Sequence, residues 1–187
     1  MAAGVLPALR KRVSGAMGYL RFTPQDDPIS RLADALDRLM PEERLRGPKA
    51  RVARLAEELR AQPAKALSRH LHALAPLLIF ADQFEELFTQ TSEAGRQDFA
   101  ALWDALLDVK GVYLALTLRS EFYASLADWL GAARLGPSHM PLDPITDDAR
   151  YRQLIARPAT DCGVAIDDAL VSELATTARG MAGALPL

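Results

Sequence analysis

Five consecutive positions, Asp82-Gln83-Phe84-Glu85-Glu86, carry the densest chemistry in the chain. They follow the apolar run Pro76-Leu77-Leu78-Ile79-Phe80-Ala81. That run is too short for a typical helix and fits a strand buried on both faces of a parallel sheet. Open parallel sheets bind ligands beyond the carboxyl ends of their strands. An acid at that place suits magnesium beside a nucleotide phosphate, because this ion takes one or two carboxylates together with phosphate oxygens. A neighbouring glutamate can orient or deprotonate an attacking water. The same residues also read as an acidic helix start, with Asp82 as the cap and Glu85 closing a capping box. The residues alone leave both readings open.

Arg119 follows a second apolar run, Val112-Tyr113-Leu114-Ala115-Leu116-Thr117-Leu118. From the end of such a strand it can touch a terminal phosphate, or it can pair with an acid such as Glu121 or Glu86. His70 and His72 are two apart on a helical pattern and so point in different directions, which suits them poorly to metal binding. His139 has no evident partner in the sequence. Cys162, the single cysteine, excludes an internal disulfide and a cysteine-based zinc site, and beside Gly163 it reads as a small buried residue rather than a nucleophile.

The elements that must position these groups alternate. Met17–Thr23 is a possible strand. Asp27 caps a helix beginning at Pro28, with Ile29, Leu32, Ala33, Leu36 and Leu39 at helical spacing. Amphipathic helices follow over Pro48–Arg60 and Ala64–Leu74. After the strand at Leu77–Asp82 comes a helix over Glu93–Asp108, with Phe99, Leu102, Trp103, Leu106 and Leu107 inward. Gly111 breaks the chain before Val112–Leu118, a second strand buried on both faces, and Ser120 caps a short helix over Glu121–Leu130. His139–Ile145 is a shorter strand. Thr146 caps a helix with Tyr151, Leu154 and Ile155 on its apolar face, and Asp167 caps a last one with Leu170, Val171, Leu174 and Ala178. The alternation predicts an α/β fold with a mostly parallel sheet.

Composition sets the outer bounds. The 187 residues include 50% hydrophobic and 25% charged positions, enough to build a core and too apolar for disorder. The 22 basic and 24 acidic residues nearly cancel, so no strong field draws the chain to nucleic acid or anionic lipid. The longest apolar stretch, Leu74–Ala81, is far short of the roughly 20 residues of a membrane span. No secretory signal pattern occurs, and a cytoplasmic protein is expected.

Together these segments resemble one family. Leu77–Thr89, with its Asp-Gln-Phe-Glu-Glu-Leu-Phe string, is similar to the magnesium-binding (Walker B) segment of the novel STAND NTPases, first subfamily, which are P-loop signal-transduction ATPases with numerous domains. Leu116–Tyr123 resembles their sensor strand, and Gly4–Arg10 the segment just after their P-loop helix. Arg157-Pro158-Ala159 and Gly183–Leu187 resemble their helical region and the Gly-x-Pro start of the winged-helix part that follows. The resemblance implies Asp82 as the magnesium ligand, Glu85 or Glu86 as the group polarising water, Arg119 as the phosphate sensor and Pro186 as part of a nucleotide-contacting motif. It implies ATP and Mg2+ as cofactors of the complete module. It also implies fused sensor or effector domains, such as WD-type repeats, and an ATP-driven change to an oligomerising form.

One requirement of that family is missing. A P-loop needs Gly-x-x-x-x-Gly-Lys-Ser/Thr, and no Gly-Lys pair occurs in the chain. The expectation is therefore a fragment of a signalling ATPase, with residues 1–145 a truncated P-loop core and residues 146–187 a helical region. Alone it should bind no nucleotide; a degenerate, non-enzymatic interaction module is the alternative. Without a P-loop strand, Met17–Thr23, Leu77–Asp82 and Val112–Leu118 should remain neighbours. His139–Ile145 should be detached or collapsed against an exposed edge of Val112–Leu118.

Overall fold

The computed structural model describes Lys11 and residues 17–40, 48–135, 139–141 and 147–179. Gly4–Arg10, Thr146, Gly183–Leu187 and Pro186 within it lie outside the described residues. The chain divides into two compact units at His139/Met140.

The first unit is built on a parallel sheet of three strands in the order β1-β2-β3, with β1 at Gly18–Phe22, β2 at Leu77–Ala81 and β3 at Val112–Leu116. The register sets Leu20 opposite Ile79 and Ile79 opposite Leu114. Every residue of β2 is buried, as expected of a central strand whose two faces are both covered. The expected adjacency of the three strands holds.

β3 keeps the expected unpaired edge, pairing on only one side among the described residues, but departs from the expected burial on both faces: Tyr113 is 56% exposed. The apolar run is real, but side chains alternate between the two faces, and at Tyr113 the face shared with Leu78 and Tyr19 is open to solvent. Residues 139–141 form no strand, and the rest of the expected His139–Ile145 strand lies outside the described residues.

Helices pack on one face of this sheet. α1 spans Pro28–Asp37, α2 Pro48–Ala61, α3 Pro63–Leu71, α4 Glu86–Thr89, α5 Glu93–Leu107, α6 Tyr123–Leu130 and α7 Ala132–Leu135. Alternation along the strands turns Leu20, Phe22, Leu77, Ile79 and Ala81 into one core with Ile29, Leu32, Leu36, Leu59, Leu67, Leu71, Phe99, Leu102 and Leu106. On the other face Met17 and Leu78 form a small second cluster, with Tyr19 and Ala115 packed against them.

The helix starts follow local chemistry. The Asp27 carboxylate accepts from the Ser30 N–H at 3.1 Å and from its hydroxyl at 2.6 Å, with Pro28 opening α1. Ser92 caps α5 by accepting from Gly95 N–H at 3.1 Å. Gly111, at φ +80°, makes the turn into β3, where a Cβ would lie 3.0 Å from that of Ala75.

Other expectations need correction. Ser120 is no cap: a 3₁₀ turn over Ser120–Phe122 leads into α6 with no side-chain cap. Leu107 points outward, 50% exposed, because it lies about 100° around α5 from the fully buried Leu106 and so off the buried side. Cys162 is exposed, since it closes a helix at the surface of the second unit.

In the second unit, α8 (Asp148–Asp161) and α9 (Asp168–Arg179) pack through Tyr151, Ile155, Ala175 and Ala178. Asp147 caps α8, accepting from Ala149 N–H at 3.0 Å, in place of the expected Thr146. Asp167 caps α9 as expected, accepting from Ala169 N–H at 2.7 Å. Leu154, Leu170 and Leu174 lie on the exposed sides of the pair.

A bidentate ion pair ties α1 to α2. Arg51 donates from Nε to Asp37 Oδ1 at 2.9 Å and from Nη2 to Oδ2 at 2.8 Å, with both side chains 14% exposed. The hydrogen bond from Arg51 holds the Asp37 carboxyl below its ordinary value; burial opposes this and the guanidinium charge adds to it. A pKa lower in the folded than in the unfolded chain gives stability that is present above the ordinary Asp value of about 4 and lost as pH falls through the folded value. Asp37→Ala should therefore cost about 2–4 kcal/mol at pH 7, since it strips a nearly buried guanidinium of that carboxylate. Urea unfolding at pH 7 and pH 3 checks this. The gap from wild type should narrow at pH 3, and an equal gap at both would refute the assignment.

Candidate functional site

The carboxyl end of β2 is held by both neighbours. Asp82 N–H donates to Phe22 O at 2.9 Å, Thr117 N–H to Ala81 O at 3.0 Å, and Phe84 N–H to Thr117 O at 2.8 Å. Hydrogen bonding thus continues past the strands and fixes the backbone of Asp82–Phe84. Gln83 turns the chain in the left-handed region at φ 51°, uncommon for a residue with a side chain. Its N–H reaches both Asp82 Oδ1 and Thr117 Oγ1 at 3.2 Å.

That turn sends Phe84 inward. It is fully buried, with ring centroids 5.2 Å from Trp103, 5.7 Å from Trp129, 6.3 Å from Phe88 and 6.4 Å from Phe99. The aromatic anchor sits between the acids on either side of it in sequence, so packing of Phe84 positions Asp82 and Glu85 together.

Asp82 is bound at both oxygens. Thr117 Oγ1 donates to Oδ1 at 2.6 Å, and Arg21 Nη2 donates to Oδ2 at 2.5 Å. Burial alone would raise its pKa, but the Thr117 hydroxyl, the Arg21 guanidinium and the Gln83 N–H together bring it below the ordinary value. The carboxylate is therefore ionised at neutral pH.

Glu85 precedes α4 and is 14% exposed; its Oε1 lies 3.4 Å from Nε of Arg119. Arg119 is 72% exposed and also lies 3.9 Å from Glu121. Oε2 of Glu86 is buried with no hydrogen-bond partner among the described residues. Neither Asp82 nor Glu85 makes a side-chain cap to α4, so the acidic helix start does not account for them. Glu85 and Arg119 meet each other, and Asp82 meets Arg21 and Thr117. Asp82, Glu85, Thr117 and Arg119 all lie in the segments that follow the carboxyl ends of β2 and β3, while Pro186 lies outside the described residues.

His70 Nε2 lies 3.3 Å from Glu58 Oε2, away from these groups. No cluster of three or more His, Cys, Asp or Glu side chains suited to a metal occurs among the described residues. Sequence reasoning missed Arg21 and Thr117. Their signals were a lone charge in the Gly-Tyr-Leu-Arg-Phe strand and a hydroxyl at the end of the Val112 run.

A parallel sheet of three strands with helices on it and acids past its central strand defines an α/β chain consistent with a partial NTPase fold. The family model for Novel STAND NTPase 1 matches residues 1–187, and the chain belongs to that family. No curated protein and no solved structure matches it.

The magnesium nucleotide that such a family implies can be tested against these residues. An ionised Asp82 in a backbone held by its neighbours, with a buried unpartnered oxygen on Glu86 nearby in sequence, fits a magnesium ion whose remaining ligands come from phosphate and water. It does not fit an ion held by protein ligands alone. No helix among the described residues is long and apolar enough to cross a membrane.

Proposed function

We propose that this chain supplies the magnesium- and water-handling side of an ATP-dependent regulatory switch. Asp82 carries the reading: an ionised carboxylate at the carboxyl end of a fully buried central strand, in a chain of a STAND NTPase family. Bound there, magnesium would supply charge neutralisation at the phosphates, with Asp82 holding it. Glu85 or Glu86 would orient the attacking water. Arg119, long and exposed at the neighbouring strand end, would contact the terminal phosphate and sense its presence.

Residues 1–145 are assigned to the nucleotide-binding core and residues 146–187 to the helical region, with Pro186 in a nucleotide-contacting motif. The working setting is cytoplasmic, with fused or separate sensor and effector domains, WD-type repeats among them, and oligomerisation on activation.

The phosphate-cradling backbone and lysine of a P-loop are not among these 187 residues, which contain no Gly-Lys pair. Charge-assisted hydrogen bonds contribute about 1.5–3 kcal/mol each. Three of them missing would forfeit about 5–9 kcal/mol, or about four to six decades of affinity. Titration calorimetry of the 187-residue protein with Mg-ATP should thus show no binding in the micromolar range. Restoring a P-loop ahead of Gly4 should bring binding back. Micromolar binding by the chain as it stands would overturn this division of labour. Absence of binding after restoration would favour the non-enzymatic interaction module, in which Asp82 and Glu85 serve only their ion pairs with Arg21 and Arg119.

A further inference from the structure

Arg21 belongs to the strand next to Asp82 and is 61 residues away in sequence. We infer that Arg21 sets the cation specificity of the Asp82 site, so that a divalent ion is accepted together with a polyphosphate and discriminated against when it arrives alone. The inference rests on the reading of Asp82 as a metal ligand.

The partners of the two carboxylate oxygens differ in kind. Oδ1 is held by Thr117 Oγ1 and by the Gln83 N–H, one on a short side chain and the other on the backbone itself. Both are fixed by the hydrogen bonds that lace the ends of β2 and β3. Oδ2 is held by a guanidinium at the end of a long side chain that is 60% exposed. An incoming cation therefore takes Oδ2, and the group it displaces is Arg21.

Charge decides when that displacement is favourable. A free divalent ion at Oδ2 sits beside a guanidinium that has lost its carboxylate, and the two cations repel. A divalent ion carried by a polyphosphate brings a net negative charge. Its phosphate oxygens offer the released guanidinium a bidentate acceptor as good as the one it gave up. Arg21 thus weakens the first complex and tolerates or supports the second. Packing supplies no other reason for this residue: Leu20 and Phe22 on either side are in the core, while Arg21 points to the other face and out.

The test uses the 187-residue protein with Mn2+ as the probe, binding being read from water-proton relaxation and from the electron paramagnetic resonance of free Mn2+. Arg21→Ala should bind Mn2+ about fivefold tighter than wild type, the scale of an exposed ion pair. Arg21→Lys, which keeps the charge, should stay near wild type. The preference for Mn2+ with inorganic triphosphate over Mn2+ alone should be larger in wild type than in Arg21→Ala. Equal Mn2+ affinity in wild type and Arg21→Ala, or an unchanged preference, overturns the inference. If Asp82→Asn still abolishes Mn2+ binding in that event, the reading of Asp82 survives. If the gain from Arg21→Ala persists after Asp82→Asn is added, both fail, because the ion is then bound elsewhere.

Discussion

In a form of the protein carrying a P-loop ahead of Gly4, Asp82→Ala is expected to bring magnesium-dependent ATP hydrolysis down by a factor of about 100 or more. That is the scale on which a single preorganised electrostatic group acts in a transition state. The cause is local. Asp82 is tied to β1 by its main-chain N–H on Phe22 O and to Thr117 by its side chain, so among the described residues its carboxylate is fixed at the end of the central strand. Glu85→Gln and Glu86→Gln should slow turnover while leaving ATP bound, since an amide keeps the shape and loses the basicity. The structure separates the two acids: Glu85 is engaged by Arg119, whereas Glu86 holds a buried oxygen with no partner among the described residues. Phosphate release in single-turnover conditions, with nucleotide retention measured on the same samples, is the check. Parent-rate hydrolysis by both glutamine variants would remove the water-activating role from this segment.

Phe84→Ala should unfold the first unit more readily than any surface change, by about 3–5 kcal/mol. Phe84 is fully buried and touches four other aromatic rings, so its removal leaves a cavity that rigid neighbours close poorly. Against a total stability of about 5–15 kcal/mol for a domain, that is a large share. Urea unfolding followed by circular dichroism measures it. Phe84→Leu should lose clearly less, because it keeps part of the volume. A loss below about 1 kcal/mol for the alanine variant would mean that the motif is held by its backbone bonds alone and not by the ring.

Much of this arrangement was legible in the residues before any coordinates. An unbroken apolar run ending in Asp82 has few alternatives to a central parallel strand, and β2 is one. Asp27-Pro28 and Asp167 announced helix starts through chemistry confined to a few neighbouring residues. What failed depended on distant partners. The Val112 run reads the same whether one or both of its faces are covered, so the exposure of Tyr113 could not be read from it. Arg21 and Thr117 meet Asp82 across 61 and 35 residues, through a strand register that no local pattern encodes. Ser120 is a good cap by type, but the chain there winds into a 3₁₀ turn first. Cys162 is small and beside a glycine, and only the end of α8 puts it in solvent.

The chain has two tryptophans, and both belong to the ring cluster around Phe84, with centroids 5.2 Å and 5.7 Å away. Trp129 is further tethered by its indole N–H, which donates to Arg96 O at 3.4 Å. The protein's ultraviolet emission therefore originates beside the very turn that carries Asp82 and Glu85. Any event that lifts Phe84 from its seat lets water reach both indoles and moves that emission to longer wavelength. The site thus comes with a built-in optical reporter that needs no added dye.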